Sequence, residues 1–260
     1  MLTTLVKRTV YDLTRPVFLK QMVWVGVFWI ITLLTITLNI QFLNTHFADA
    51  VRPDDLILNM IPETPIFVTV AEVGSALQVI LIAFIMWQWR FKPAPKMLFL
   101  IAAMFMLRGF VITFTPLGQI QRPQENFPES HIIARTFYYG MFFSGHTASA
   151  FIQAFYVKEH RLRPVVFLLA TIQAFALLAS HSHYTIDVVG GFFVAYFMTH
   201  FDFMRLVPVA LRSVKWLPWY TEAVPRASMR LQPKVTVMRE QPQMEREAEV
   251  DTRHEREPVA

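Results

Sequence analysis

The chain has no cysteine. That excludes disulfides, thiolate nucleophiles and thiolate metal sites, leaves the redox compartment open and is compatible with a bacterial inner membrane. Charge is also scarce, with 17% Asp, Glu, Lys and Arg against 54% hydrophobic residues and 24 phenylalanines in 260 residues. A soluble protein of this length cannot hide so much apolar surface. No internal repeat is visible, and no barrel-like alternation runs through the apolar segments. A cleavable leader is not expected either, because Lys7, Arg8, Arg15 and Lys20 precede a first apolar run too long and too rich in Trp for one.

What is present is a series of apolar runs near the length that crosses about 30 Å of hydrocarbon. They predict spans over Met22 to Ile40, Phe67 to Trp89, Met97 to Thr115, Met141 to Val157, Pro164 to Ala179 and Ile186 to Phe203. Lipid cannot satisfy an exposed backbone, so each is expected to be helical. The predicted class is therefore all-α: a polytopic membrane bundle of six transmembrane helices. A cytoplasmic segment, 1–21, precedes the catalytic membrane domain at 22–206. An interfacial segment and a disordered cytoplasmic tail occupy 207–260, where Pro225, Pro233 and Pro242 punctuate a mixed-charge stretch poor in aromatics.

Orientation follows from the basic residues. One side collects Lys7, Arg8, Arg15, Lys20, Arg90, Lys92, Lys96, Lys158, Arg161, Arg163, Arg205, Arg212 and Lys215, and the other holds Arg52, Arg122 and Arg135. The positive-inside rule puts both termini in the cytoplasm. The net charge of +5 is thus read as membrane flanking, and no nucleic-acid partner is expected.

Two polar clusters stand at the outer ends of predicted spans: Phe143-Ser144-Gly145-His146-Thr147, and His181-Ser182-His183-Tyr184-Thr185-Ile186-Asp187. They can meet at one depth. Four residues apart, His183 and Asp187 would stack on one helical face. The carboxylate would take the proton of one ring nitrogen and leave the other free to attack. His146, with an ordinary pKa of about 6.5, would protonate the leaving oxygen. Ser144 and Gly145 would aim unsatisfied helix N-terminal N–H groups at a phosphate, Gly145 allowing close backbone approach.

These residues resemble the signature of the type 2 phosphatidic acid phosphatase superfamily, Ser144-Gly145-His146 with His183-xxx-Asp187. Within it, the longer blocks are most similar to the sphingomyelin synthase branch, and a looser likeness runs from Pro53 to Phe203. Arg108 followed by Thr115-Pro116-Leu117, and Ala71-Glu72-Val73-Gly74, resemble that branch's third and second spans. Two departures concern head-group and acceptor choice: Tyr139-Gly140-Met141 stands where the branch has Cys-Gly-Asp, and Ser182 where it often has Asp. The resemblance implies a periplasm- or lumen-facing site and a phosphohistidine intermediate on His183. It also implies a glycerophospholipid donor with ceramide or diacylglycerol as acceptor. A phosphatase using water, and a lipid transporter or scramblase, are the alternative readings.

Other polar residues carry paired expectations. Arg108, roughly 12 Å inside the outer end at 1.5 Å per residue, would clamp phosphate or pair with Glu72. Glu72 would meet a cationic head-group or assist the acceptor hydroxyl. Tyr184 would bond phosphate or sit in the interfacial belt. Asp54 and Asp55 are expected as solvated loop charges, and His131, His160 and His200 as structural. No cofactor and no metal are expected, since His146, His183 and Asp187 lack further ligands.

Overall fold

The computed structural model describes residues 2–47, 50–118, 120, 142–157 and 160–201, with 211, 214, 215 and 217–219. The side chains of 2–5 and of Asn44 are excepted. The polar loop beyond Gly118, Tyr139-Gly140-Met141, His131, Glu159 and the tail from Glu222 lie outside the described residues.

Among these residues the chain is all-helical, with eight helices and no strand. They are α1 (Leu2–Thr14), α2 (Pro16–His46), α3 (Leu56–Met60), α4 (Ile66–Gln88), α5 (Ala94–Phe114), α6 (Gly145–Tyr156), α7 (Arg163–Ala179) and α8 (Thr185–His200). Three are long and apolar enough to cross a membrane: Pro16–Leu43, Ile66–Gln88 and Ala94–Phe114. The protein is an integral membrane protein.

Prolines set several helix starts, where a missing N–H costs nothing: Pro16 opens α2, Pro95 lies in the first turn of α5 and Pro164 in that of α7. The first span begins at Pro16 instead of Met22, so the expected boundary at 21 falls inside α2. The fourth run is helical only from Gly145, because Ser144 caps it there. At 12 residues, α6 is about 18 Å long, against about 32 Å for α5.

Helix α6 is the hub. It packs against α8, α7, α5 and α4; α4 lies along α7, and α5 along α2. Consecutive α4 and α5 do not pack along their length. Small residues allow the closest approaches. At Gly109 an added Cβ would meet Asn39 Nδ2 and Ile36 Cγ1 at 3.3 Å, and Asn39 donates to the Gly109 carbonyl at 2.7 Å. A line of polar contacts also runs inside the bundle. Ser75 Oγ donates to Gln173 Oε1 (2.7 Å), Gln173 Nε2 to Gln78 Oε1 (2.6 Å), and Gln78 Nε2 to the Ala150 carbonyl (2.8 Å). This ladder joins α4, α7 and α6.

One end of the bundle gathers basic groups. Asp12, buried on α1, receives a bidentate pair from Arg90 in the α4–α5 turn, and Arg15 donates to the Arg90 carbonyl. Those contacts hold Arg90 and Phe91 at φ 57° and 55°, a region costing about 1–2 kcal/mol for residues with a Cβ. Tyr156, closing α6, donates to the Pro93 carbonyl at that same end. The carbonyls of Lys215 and Leu217 accept from Gln21.

Candidate active site

At the opposite end, α7 stops in a Schellman motif. His181 N–H returns to the Leu178 carbonyl and Ser182 N–H to that of Leu177, both at 2.9 Å, with His181 itself at φ 49° where glycine is usual. The chain turns through His183, and Tyr184 caps α8. Asp187 occupies the third helical position; its Oδ2 accepts from Tyr184 N–H at 3.1 Å and faces His183 Nδ1 at 3.4 Å, a long contact. The pairing is therefore not the expected stacking within one helix. His183 lies before the cap, and its ring folds back to the first turn. Its other ring nitrogen, Nε2, points away from the carboxylate.

Helix α6 arrives beside it. Ser144 is its N-cap, accepting from Thr147 N–H at 3.3 Å and from the Thr147 hydroxyl at 3.1 Å. The Ser144 N–H donates to the Asp187 carbonyl at 2.9 Å. That N–H is thus not available to phosphate, contrary to expectation, and Gly145 and His146 carry the next N–H groups of the first turn of α6. One residue into the helix, the exposed His146 ring stands 6.4 Å from that of the buried His183, centroid to centroid, tilted by 61°.

Gly145 also has a packing reason. A Cβ there would lie 2.8 Å from Phe105 Cε1 and 3.4 Å from Arg108 Cδ, so the missing side chain lets α6 touch α5. Arg108 is buried and its Nε donates to the Phe143 carbonyl at 2.8 Å, steadying the approach to α6. Its guanidinium lies within electrostatic reach of Asp187 and His146. Arg108 is six residues short of the end of α5, which sets the whole cluster about 9 Å inside that helix.

A family model described as AtPDCT1/2, that of the phosphatidylcholine:diacylglycerol cholinephosphotransferases related to sphingomyelin synthases, matches residues 53–203. The chain belongs to this family. No individual curated protein matches it. The match begins ahead of α3 and ends just past α8, so it takes in every residue of the cluster.

Two expected members stand apart. Glu72 is exposed on α4, which packs on α7 and not on α5, so the expected ion pair with Arg108 is not seen; Asp187 is a carboxylate within electrostatic reach of Arg108. The Tyr184 hydroxyl donates to the Gly118 carbonyl at 3.1 Å, and its ring packs on Leu58. His160 is structural as expected, set between Gln88 and Leu162.

Sequence reasoning missed four contributing residues. Asp55, expected as a solvated charge, caps α3 and accepts two hydrogen bonds from Thr185. An Asp just before Leu56-Ile57-Leu58 is an N-cap signal. Gly190 and Gly191, adjacent glycines inside an apolar span, mark where α8 meets the start of α6. His181, paired with the Ile61 carbonyl at 2.8 Å, left no signal apart from its place in the cluster.

Proposed function

We propose that the protein is a lipid phosphotransferase that moves a phospho-alcohol head-group from a glycerophospholipid to diacylglycerol or ceramide, with His183 as the nucleophile. The observation that carries this is the cluster itself. His183 has Nδ1 on Asp187, and its ring stands 6.4 Å, centroid to centroid, from that of His146, so that one phosphoryl group could be reached by both imidazoles. Membership of a family named for transfer between phosphatidylcholine and diacylglycerol makes phosphocholine the first head-group to test and diacylglycerol the first acceptor.

In the proposed reaction His183 Nε2 attacks phosphorus and forms a P–N bond. The P–O bond to the glycerol oxygen breaks, and that oxygen takes the proton of His146, releasing diacylglycerol. Asp187 holds the Nδ1 proton and offsets the positive charge on the phosphorylated ring. His146, now neutral, removes the hydroxyl proton of a second diacylglycerol or ceramide. The resulting oxygen attacks phosphorus, the P–N bond breaks, and His183 is restored. Arg108 and the N–H groups of Gly145 and His146 would hold the phosphate oxygens. Ser144 supports that turn as its cap. Glu72 and Tyr184 serve outside the reacting atoms.

The membrane reading belongs to the same proposal. Helices α2, α4 and α5 cross the bilayer, and α6, α7 and α8 complete six spans as shorter helices. The basic end faces the cytoplasm with both termini, and the site faces the periplasm of a bacterial inner membrane. The catalytic domain runs from the start of α2 to 206, followed by the interfacial segment and tail.

The experiment is a product assay. Purified protein is mixed with head-group-labelled phosphatidylcholine, with and without an isotopically distinct diacylglycerol or ceramide, and read by mass spectrometry. Label in the acceptor supports transfer; free phosphocholine or phosphate alone means hydrolysis. Lipid movement between leaflets without turnover means transport. An undiminished His183→Ala variant removes the enzyme reading altogether.

A further inference from the structure

The segment between α2 and α4 is stitched to the turn that carries His183. Asp55 Oδ2 accepts from Thr185 N–H at 2.6 Å and Oδ1 from the Thr185 hydroxyl at 2.9 Å. The same Oδ1 accepts from Ile57 and Leu58 N–H at 3.0 and 3.2 Å, so one carboxylate joins the first turns of α3 and α8. Further along, the Ile61 carbonyl meets His181 Nε2 at 2.8 Å, and Thr64 N–H donates to the Ala179 carbonyl at 3.0 Å. Leu58 packs on Tyr184 between these contacts.

The order of the contacts matters. His183 is the middle of a short turn whose two sides, His181 and Thr185, are each held by this one outer segment. His181 sits at φ 49°, a strained place for a residue with a Cβ. Without an external tie the turn would relax, and the 3.4 Å contact from His183 to Asp187 has no slack. Burial alone would raise the Asp55 carboxyl; the donors of Thr185, Leu58 and Ile57 outweigh it and hold it below its ordinary value, so the anchor is an anion. A negative charge at the start of α8 also suits the helix dipole.

We infer that Asp55 is a positioning residue of the transfer site, whose grip on Thr185 fixes the turn from which His183 reaches Asp187. This rests on the lipid phosphotransferase reading. A helix cap serving α3 alone would leave turnover untouched.

The test uses the full-length protein in nanodiscs and reads kcat and KM for both lipids together with the unfolding midpoint. Asp55→Ala is expected to lower kcat on the order of 10- to 100-fold per folded molecule, with KM within about twofold, because a displaced catalytic group costs rate more than binding. Asp55→Asn, able to keep one acceptor, and Thr185→Val, which removes only the hydroxyl, are expected to fall between Asp55→Ala and the native protein. Asp54→Asn is the control: its Oδ1 accepts from Asn59 on α3, among the described residues it bonds nothing in the His183 turn, and its kcat stays native. If Asp55→Ala does not fold, Asp55→Asn and Thr185→Val decide. Native kcat in those two variants, with any loss confined to the unfolding midpoint, overturns the inference. His183→Ala run alongside separates the failures. Activity lost there but kept in Asp55→Asn defeats this inference alone, and activity kept in His183→Ala defeats the phosphotransferase reading and this with it.

Discussion

The N–H of Ser144 donates to the carbonyl of Asp187 at 2.9 Å, a backbone bond between the first turns of two helices far apart in sequence. It places the residue before Gly145-His146 against the residue that orients His183. The backbones that carry the two imidazoles are therefore joined through main chain, and side-chain contacts such as that of Asp187 with His183 then aim the rings. The bond exists because α8 has no side chain at Gly191, where α6 presses closest.

Gly191→Ala is accordingly expected to damage the site from outside it. The added Cβ would lie 2.7 Å from the Ser144 carbonyl oxygen and 3.1 Å from Thr147 Cβ, and a backbone atom cannot rotate aside. A stability loss of about 1–3 kcal/mol is expected from overpacking, with turnover reduced in the folded fraction. At Gly190 the nearest atom is Cε2 of the Phe142 ring, at 2.9 Å, and a ring can move. Gly190→Ala should therefore cost less on both measures, thermal unfolding and product formation.

Much of this was readable in the sequence, for definable reasons. Periodicity and length located α4, α5 and α7 within a few residues, because lipid exposure forces long apolar runs. Residue chemistry singled out His146, His183 and Asp187, because charged and titratable groups among apolar spans need a cause. What could not be read was anything set by close approach. The packing of Gly145 against Phe105 and Arg108 left no sign in the sequence. Asp55 looks like a solvated loop charge and is an anchor on Thr185. Glu72 and Arg108 look like neighbours on consecutive spans, yet α4 and α5 do not pack. Helix order around α6 decides that, and no local pattern encodes it.

The glutamine ladder gives a prediction independent of chemistry. Gln78 and Gln173 are both buried, and each satisfies the other. Gln173→Met, unbranched and similar in size, strands Gln78 Oε1, and Gln78→Met strands the Gln173 amide. Each single variant should lose about 1–3 kcal/mol, the cost of a buried unpaired polar group. The double variant strands neither, and Ser75 can turn to a carbonyl of its own helix. It should lose less than the sum of the singles, as read by unfolding midpoints of all four proteins.

His160 predicts a pH dependence at the far end. Its Nδ1 accepts from Leu162 N–H at 3.1 Å and its Nε2 meets Gln88 Oε1 at 2.8 Å, an arrangement that needs the neutral ring. Burial, and then the charge of Arg161, lower its pKa from the ordinary 6.5. The unfolded chain therefore binds the proton more readily than the folded one. The stabilisation is complete above pH 6.5 and drains as pH falls below it toward the lowered folded value. His160→Gln should flatten that limb: its unfolding midpoint should change less than the native one between neutral and mildly acidic pH. A native limb retained in the variant would assign the effect to another group.

Asp187→Asn tests the chemistry most directly. The amide oxygen can still accept from Tyr184 N–H, so the cap of α8 survives with the shape of the turn. What is lost is the negative charge against His183 and Arg108. Without it the Nδ1 proton is no longer held by an anion, and the positive ring that forms as Nε2 takes the phosphoryl group has no counter-charge. The expected fall in kcat is on the order of 10²- to 10⁴-fold, as for an orienting carboxylate behind a catalytic imidazole. The loss should appear in the first half-reaction, seen as a slower initial release of diacylglycerol from phosphatidylcholine when no acceptor is added. If that initial release keeps its native rate while only the second step slows, Asp187 does not orient the nucleophile, and the roles of His183 and His146 would have to be exchanged.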